Sequence, residues 1–152
     1  MASLEERIAV LEAREAFKEL RARYAWHVVR AEFDAMSLLF APDGFFEAPI
    51  GGGGRRKVVG PDEIHAMLID TVKPQGVFPM IHNDIIIVEG DEAWGTCTME
   101  SARSPGAEVG FSGYYHDRIR RLDGRWLFTE RRWFHYLPMF HDSGLGPDSA
   151  PK

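Results

Sequence analysis

From residue 77 onwards the chain alternates apolar and polar side chains over four long stretches, at about 77–89, 92–103, 108–122 and 125–138, broken by Glu89-Gly90-Asp91 and Asp123-Gly124. Period-2 runs joined by glycine turns are successive antiparallel strands, and their buried face needs a second apolar layer to pack against. The residues upstream supply it. Ser3 followed by Glu6 is a capping box, and Leu4, Ile8, Leu11, Phe17, Leu20, Tyr24 and Val28 then recur at helical spacing, which predicts a helix from about residue 4 to 31. Phe33 to Phe40 continues as a short helix, stopped by Ala41-Pro42 and an Asp43-Gly44 turn. Phe45–Ile50 and Arg56–Val59 read as strands of a hairpin linked through Gly51 to Gly54. In Gly60-Pro61-Asp62-Glu63, proline sits where a helix leaves an N–H unpaired and acids sit in the first turn, so a helix from 61 to about 72 is expected. Helices followed by a meander give an α+β class: a curved antiparallel sheet wrapped around the N-terminal helices, leaving a cone-shaped cavity.

At 152 residues, 45% hydrophobic and 27% charged, the chain suits one domain with one core. The expected division is a domain over 1–141 and a flexible tail over 142–152, rich in Gly, Pro and Ser. A net charge of -5 with scattered cations argues against nucleic-acid binding. Arg118, Arg120 and Arg121 divide between the two faces of a strand and read as a solvated edge. Cys97 is the lone cysteine and lies in an alternating run, so it reads as a packed thiol in a reduced compartment. The Met-Ala-Ser start carries no leader, and no apolar run approaches the ~18 residues of a membrane span. A soluble, cytoplasmic protein without a membrane partner is the expectation.

Several fragments, in this order and spacing, carry a family resemblance: Glu19-Leu-x-x-x-Tyr24, Phe33-Asp-Ala-Met-x-x-Leu-Phe-Ala-Pro-Asp-Gly44, Gly60-Pro-Asp-Glu-Ile64, Asn83 with Ile86-x-Val-x-Gly-Asp-x-Ala93, and Asp117-x-x-x-x-x-Asp-Gly-x-Trp126. Together they resemble the SnoaL-like branch of the nuclear transport factor 2-like superfamily, over roughly Leu4 to His141. Relatives of this pattern include polyketide cyclases, scytalone dehydratase, bile-acid dehydratases, a hexachlorocyclohexane dehydrochlorinase and ketosteroid isomerase. The resemblance implies the curved-sheet fold, a small and largely apolar cyclic ligand, and elimination or isomerisation by proton abstraction without a cofactor. It also implies a homo-oligomer, commonly a dimer through the outer sheet face, for which Trp94, Trp126 and Trp133 are candidates. The same fold serves as a plain binding module, so the fold leaves the activity open.

Elimination beside a carbonyl needs a base of tuned pKa, an acid partner and a donor for developing charge, in a water-poor pocket. Tyr24 resembles the family's pocket tyrosine, and His27, three residues on, shares its helix face. By the same resemblance, the dehydratases' orienting acid falls on Val29 and their catalytic histidine on Pro79, so His82 is the nearest imidazole to that place. The base of ketosteroid isomerase falls near Ala48, beside Glu47, and the acid of its oxyanion hole falls on about His116. Tyr24, His27, His82 and His116 are therefore the catalytic candidates. Trp26, Phe46, Met80, Tyr114 and His135 are the substrate-binding ones, His135 standing where bile-acid dehydratases carry an arginine.

The six histidines show no His-x-x-x-His or His-Glu-x-x-His spacing, so no metal is expected. Gly51 to Gly54 precede a strand rather than the helix N-terminus that holds a phosphate, so no nucleotide is expected either. Two readings stand: a cofactor-independent lyase or isomerase built on relocated histidines, and a non-catalytic binder that kept the cavity after losing its acid–base pair.

Overall fold

The structure is a computed structural model and describes residues 2–50, 53–102 and 109–136, with the side chains of Val109 and Phe111 excepted. The expected tail, and the end of the last strand beyond 136, lie outside the described residues.

Helix α1 (Leu4–Val29) begins at the capping box, with Ser3 Oγ accepting from Glu6 N at 3.1 Å and Glu6 Oε2 accepting from Ser3 N at 2.6 Å. Its buried stripe starts only at Ala13 and runs through Phe17, Leu20, Arg21, Tyr24 and Val28. Leu4, Ile8 and Leu11 are exposed, since the sheet does not extend under the first turns. After α2 (Phe33–Ser37) the chain enters β1 (Phe40–Pro49), which pairs antiparallel with β2 (Arg55–Val59) as the expected hairpin. Helix α3 (Gly60–Met67) continues into a π-helical turn at Leu68–Val72 and a 3-10 turn at Lys73–Gln75. Strands β3 (Phe78–Glu89), β4 (Glu92–Ala102), β5 (Val109–Leu122) and β6 (Arg125–His135) form the meander. The sheet order is β2-β1-β6-β5-β4-β3, curved and unclosed, and antiparallel throughout except where β1 runs parallel to β6. The α+β architecture is the one the sequence implies.

Two local expectations are corrected. The short helix ends at Ser37, not Phe40, because Phe40 and Ala41 are drawn into the sheet. Phe128 N donates to Leu39 O at 2.9 Å, and the Phe40 and Phe128 rings lie 5.2 Å apart. Asp43-Gly44 is then a bulge inside β1, not a turn before it: the β1–β6 register shifts between Phe40 and Phe45. A Cβ on Gly44 would lie 2.5 Å from Phe128 O, so only glycine permits this approach. The second correction concerns Arg118, Arg120 and Arg121. Strand β5 is interior to the sheet, and these cations are engaged: Arg120 with Asp43 at 3.1 Å, Arg121 with Asp91 at 2.6 Å, and Arg118 over Trp94 at 5.3 Å.

The core lies between α1, α2, α3 and the concave face of the sheet, and joins Phe17, Tyr24, Met36, Phe40, Ile119 and Phe128 among others. Cys97 is packed there, and burial, above all other influences, pushes its thiol up to about 12, which suits a packing role and not a nucleophile. Among the described residues no helix is long and apolar enough to cross a membrane, and no cluster of His, Cys, Asp or Glu could hold a metal ion.

Candidate functional site

Strand parity decides which side chains reach the space between sheet and helices. Along β4 and β5, Met99, Ser101 and Tyr115 face the helices, while Thr98, Tyr114 and His116 face outwards. The inner residues wall a cavity of about 380 Å³. Its deep end carries the buried Tyr24 from α1, Phe46 from β1, Tyr115 from β5 and Trp133 from β6, while His135, the last residue of β6 and level with Ile50 just past β1, lines it nearer the hairpin end. Met67, Thr71, Val72 and Val77, from the end of α3 and the turns after it, close one side. Ile50, Arg56 and Gln75 line it while staying exposed, which places the mouth at the free end of the β1–β2 hairpin.

Rings in contact line one wall. Tyr24 and Tyr115 meet edge to face at 6.0 Å, Tyr115 and Trp133 lie 5.0 Å apart, and Trp133 meets His135 edge to face at 5.3 Å. Burial raises the pKa of Tyr24, and Arg131 first and the neighbouring Tyr115 hydroxyl second offset part of that rise. Burial also carries Tyr115 well above 10.0, reinforced by Tyr24. Both phenols are thus protonated near neutrality and act as donors. Burial, and secondarily Arg55, lowers the pKa of His135 below 6.5, so its ring is neutral near pH 7. Trp133 Nε1 donates to His135 Nε2 at 3.4 Å, a long and weak bond.

Behind the phenols lies a buried ionic network. Asp117 Oδ2 accepts from Arg21 Nε at 2.8 Å and pairs with Arg131 at 3.5 Å, and all three side chains have at most 1% exposure. Arg21 also reaches Asp84. The Arg131 guanidinium is stacked 3.6 Å from the Tyr115 ring centroid and 4.0 Å from that of Tyr24. A cation against two ring faces lowers the cost of negative charge drawn onto either phenol oxygen.

Of the residues singled out from the sequence, Tyr24, Phe46 and His135 line the cavity. The other six lie away from it. His27 is turned towards the end of α1, where its Nδ1 bonds Glu32 Oε2 at 2.8 Å. Trp26 is 61% exposed beneath Arg30. His82 lies on the outer face beside Glu100, at 3.7 Å. A bulge does occur in β3, at Asn83 with φ 55, but it follows His82 and leaves that side chain outside. Met80 shares the outer face, 40% exposed. Tyr114 is stacked on Phe134 at 5.0 Å, again outside. His116 is half-buried on the same face, opposite Thr96 and Arg132, and burial lowers its pKa.

No site role was expected of Tyr115, Arg131, Arg21 or Arg56, nor of Asp117, which entered only as the start of a resemblance fragment. One signal for Arg21 was present, an arginine on the apolar stripe of α1 between Phe17 and Tyr24. Tyr115 differs from Tyr114 only in parity, which a one-residue shift in register reverses. Pro79 and Ala48, matched to the family's catalytic histidine and base, do line the cavity, whereas Val29 is exposed and Val28 lines it instead.

A sequence profile of the SnoaL-like domain matches residues 9–132. No curated protein matches the chain. Among solved structures, an NTF2-like protein with a cystatin-like fold from Novosphingobium aromaticivorans superposes with a TM-score of 0.75 at 25% identity, covering 91% of this chain and 93% of that one. A variant of Rv3472 from Mycobacterium tuberculosis, a protein of unknown function, gives 0.70 at 22% identity, with coverage of 87% and 74%. ActVI-ORFA from Streptomyces coelicolor gives 0.66 at 18% identity, with coverage of 82% and 97%. The last two identities speak for the fold alone. The profile match spans most of the chain, and with it the curved sheet and the cavity beneath α1: this protein belongs to the SnoaL-like family of the NTF2-like superfamily.

Proposed function

We propose that this chain is a cofactor-independent lyase or isomerase acting on a small, largely apolar cyclic molecule held in the cavity. The observation that carries the reading is the convergence of two protonated phenols and one neutral imidazole on a single apolar-walled space. Tyr24 and Tyr115 donate to a substrate oxygen as charge develops on it, and His135, giving up its weak bond from Trp133, removes the α proton and returns it from the imidazolium to the departing hydroxyl, released as water, in an elimination, or to another ring carbon in an isomerisation. The volume, about 380 Å³, suits a ligand of a few fused rings or fewer. A panel of β-hydroxy cyclic ketones assayed for elimination tests the reading. Turnover should fall at least ~10²-fold in His135→Gln, the range of a lost general base. The acid limb of kcat/KM in the wild type should lie below 6.5, because the active form is the neutral imidazole and its pKa is lowered. Turnover in His135→Gln equal to wild type would sink this assignment.

The second reading, a non-catalytic small-molecule binder, draws support from Ala48 and Pro79, which bring no ionisable group to the cavity wall. Ligand-induced thermal stabilisation with no turnover on the same panel would favour it.

A second copy of this chain is the proposed partner. On the outer face Ile85 and Ile87 of β3 are 66% and 52% exposed, and the same face carries the Tyr114, Phe134 and Tyr136 ring cluster across β4. Of the tryptophans expected on such a surface, Trp133 instead lines the cavity and Trp126 packs against the core. Sedimentation should give a dimer that Ile85→Glu with Ile87→Glu converts to monomer; a monomeric wild type at ~100 μM defeats the proposal.

A further inference from the structure

Arg55, Arg56 and Lys57 are consecutive cations on β2, and strand alternation separates their fates. Arg55 and Lys57 turn to the outer face. Arg55 Nε pairs with Glu47 at 3.1 Å, Arg55 NH2 donates to Trp133 O at 3.0 Å, and its guanidinium covers the Phe134 ring at 4.4 Å. Lys57 Nζ lies 3.8 Å from the Phe45 ring centroid. Arg56, in register with Ala48, turns to the inner face and lines the cavity mouth. Among the described residues no ion pair or hydrogen bond engages its side chain, and no carboxylate lines the cavity. The mouth thus presents a fixed positive charge on a protein whose net charge is -5. A general excess of surface cations does not account for it.

Given the catalytic reading of the cavity, on which this rests, we infer that the ligand is an anion: an apolar ring body bearing a carboxylate, or another group of that charge and shape, at the end away from the phenols. The guanidinium fork matches a carboxylate in geometry, and its place at the mouth leaves the ring body to the apolar wall of Phe46, Met67, Met99 and Trp133. The reacting oxygen then meets Tyr24 and Tyr115 at the deep end. Because Arg56 is exposed, water and salt weaken the pair, so the preference for an anion is modest and ionic-strength dependent.

Isothermal titration of the full chain with arene carboxylates from benzoate to 2-naphthoate and 2-anthroate, each beside its primary amide, tests the inference. The carboxylate of at least one pair should bind about 3- to 10-fold tighter than its amide at low salt, a margin lost by about 0.5 M salt. Arg56→Gln should erase the margin, by weakening each carboxylate more than its amide. Equal affinities within every pair, or a margin that survives Arg56→Gln, overturns the inference. If amides still bind and Tyr115→Phe weakens them, the cavity reading stands without it. If no member of either series binds, both fall together.

Discussion

Asp117→Ala should lower the melting temperature by about 10 °C, making this small acid on β5 the costliest single position to truncate. Removing one partner of a buried ion pair costs about 3–5 kcal/mol, because the remaining charge stays in a medium that cannot solvate it. For a chain of this size each kcal/mol is worth about 2–4 °C. Two guanidiniums depend on Asp117, with side-chain exposures of 1% for Arg21 and 0% for Arg131. They are not equally exposed to its loss. Arg21 retains Asp84, whereas no other carboxylate among the described residues pairs with Arg131. Most of the penalty therefore falls on Arg131, and a compensating change there should recover it. Asp117→Leu combined with Arg131→Met replaces the pair by apolar groups of similar bulk and should be more stable than Asp117→Leu alone by at least ~2 kcal/mol. Urea unfolding of the wild type, both single variants and the double variant measures this coupling. An Asp117→Ala protein within ~1 kcal/mol of wild type would mean the network is hydrated or rearranged, and the account of the cavity floor would fail with it.

The same network marks where sequence reading stops. The helix cap at Ser3, the hairpin, the Gly90 and Gly124 turns and the α+β class were legible because each depends on local chemistry: a cap, a period or a residue tolerant of positive φ. Which strand face becomes the cavity wall is not local. It depends on bulges at Asp43-Gly44 and Asn83, each of which inverts the parity of everything beyond it relative to a partner strand. On β5 and on β3 before its bulge the alternation is regular, but nothing local says which of the two faces turns inwards: Tyr115 lines the cavity where Tyr114 was expected, and His82, Met80 and His116 lie outside it. Tyr24 was legible because helical phase carries no such ambiguity: it sits on the apolar stripe with Phe17, Leu20 and Val28. His27 shows the limit of even that rule. Three residues from Tyr24, it shares a face with it, yet at the last turn of α1 the side chain finds Glu32 before it finds the sheet. Arg21 and Asp117 were unreadable as a pair because 96 residues separate them and neither position breaks its local pattern strongly. Val29 and Pro79 share a cleft beside Trp26 and Asp84, but of the two only Pro79 also lines the main cavity, so a dehydratase pair rebuilt there would not bring its acid to the cavity wall.

Tyr115→Phe should cost roughly 10²-fold or more in kcat on any substrate the chain turns over, with KM changed little, if the phenol acts only as charge develops on the substrate oxygen. Tyr24→Phe should do the same. The two rings are in contact and both hydroxyls serve one substrate oxygen, so the double variant should lose far less than the product of the single losses. Burial makes each phenol reluctant to ionise, which by itself would make it a poor proton sharer. Arg131 counters this from behind. Its guanidinium lies 3.6 Å and 4.0 Å from the two ring centroids, so negative charge drawn onto either phenol oxygen in the transition state is met by a cation that needs no movement to respond. Arg131→Met in the Asp117→Leu background, which preserves folding, should therefore lower kcat as well, while a ground-state ligand still binds. A purely structural role for the tyrosines gives another pattern: each Phe variant would lose stability by more than the ~1 kcal/mol of a single hydrogen bond, with kcat per folded molecule intact. Steady-state kinetics and chemical denaturation on the same four proteins separate the two outcomes, and wild-type kcat in both single variants would remove the phenols from the chemistry.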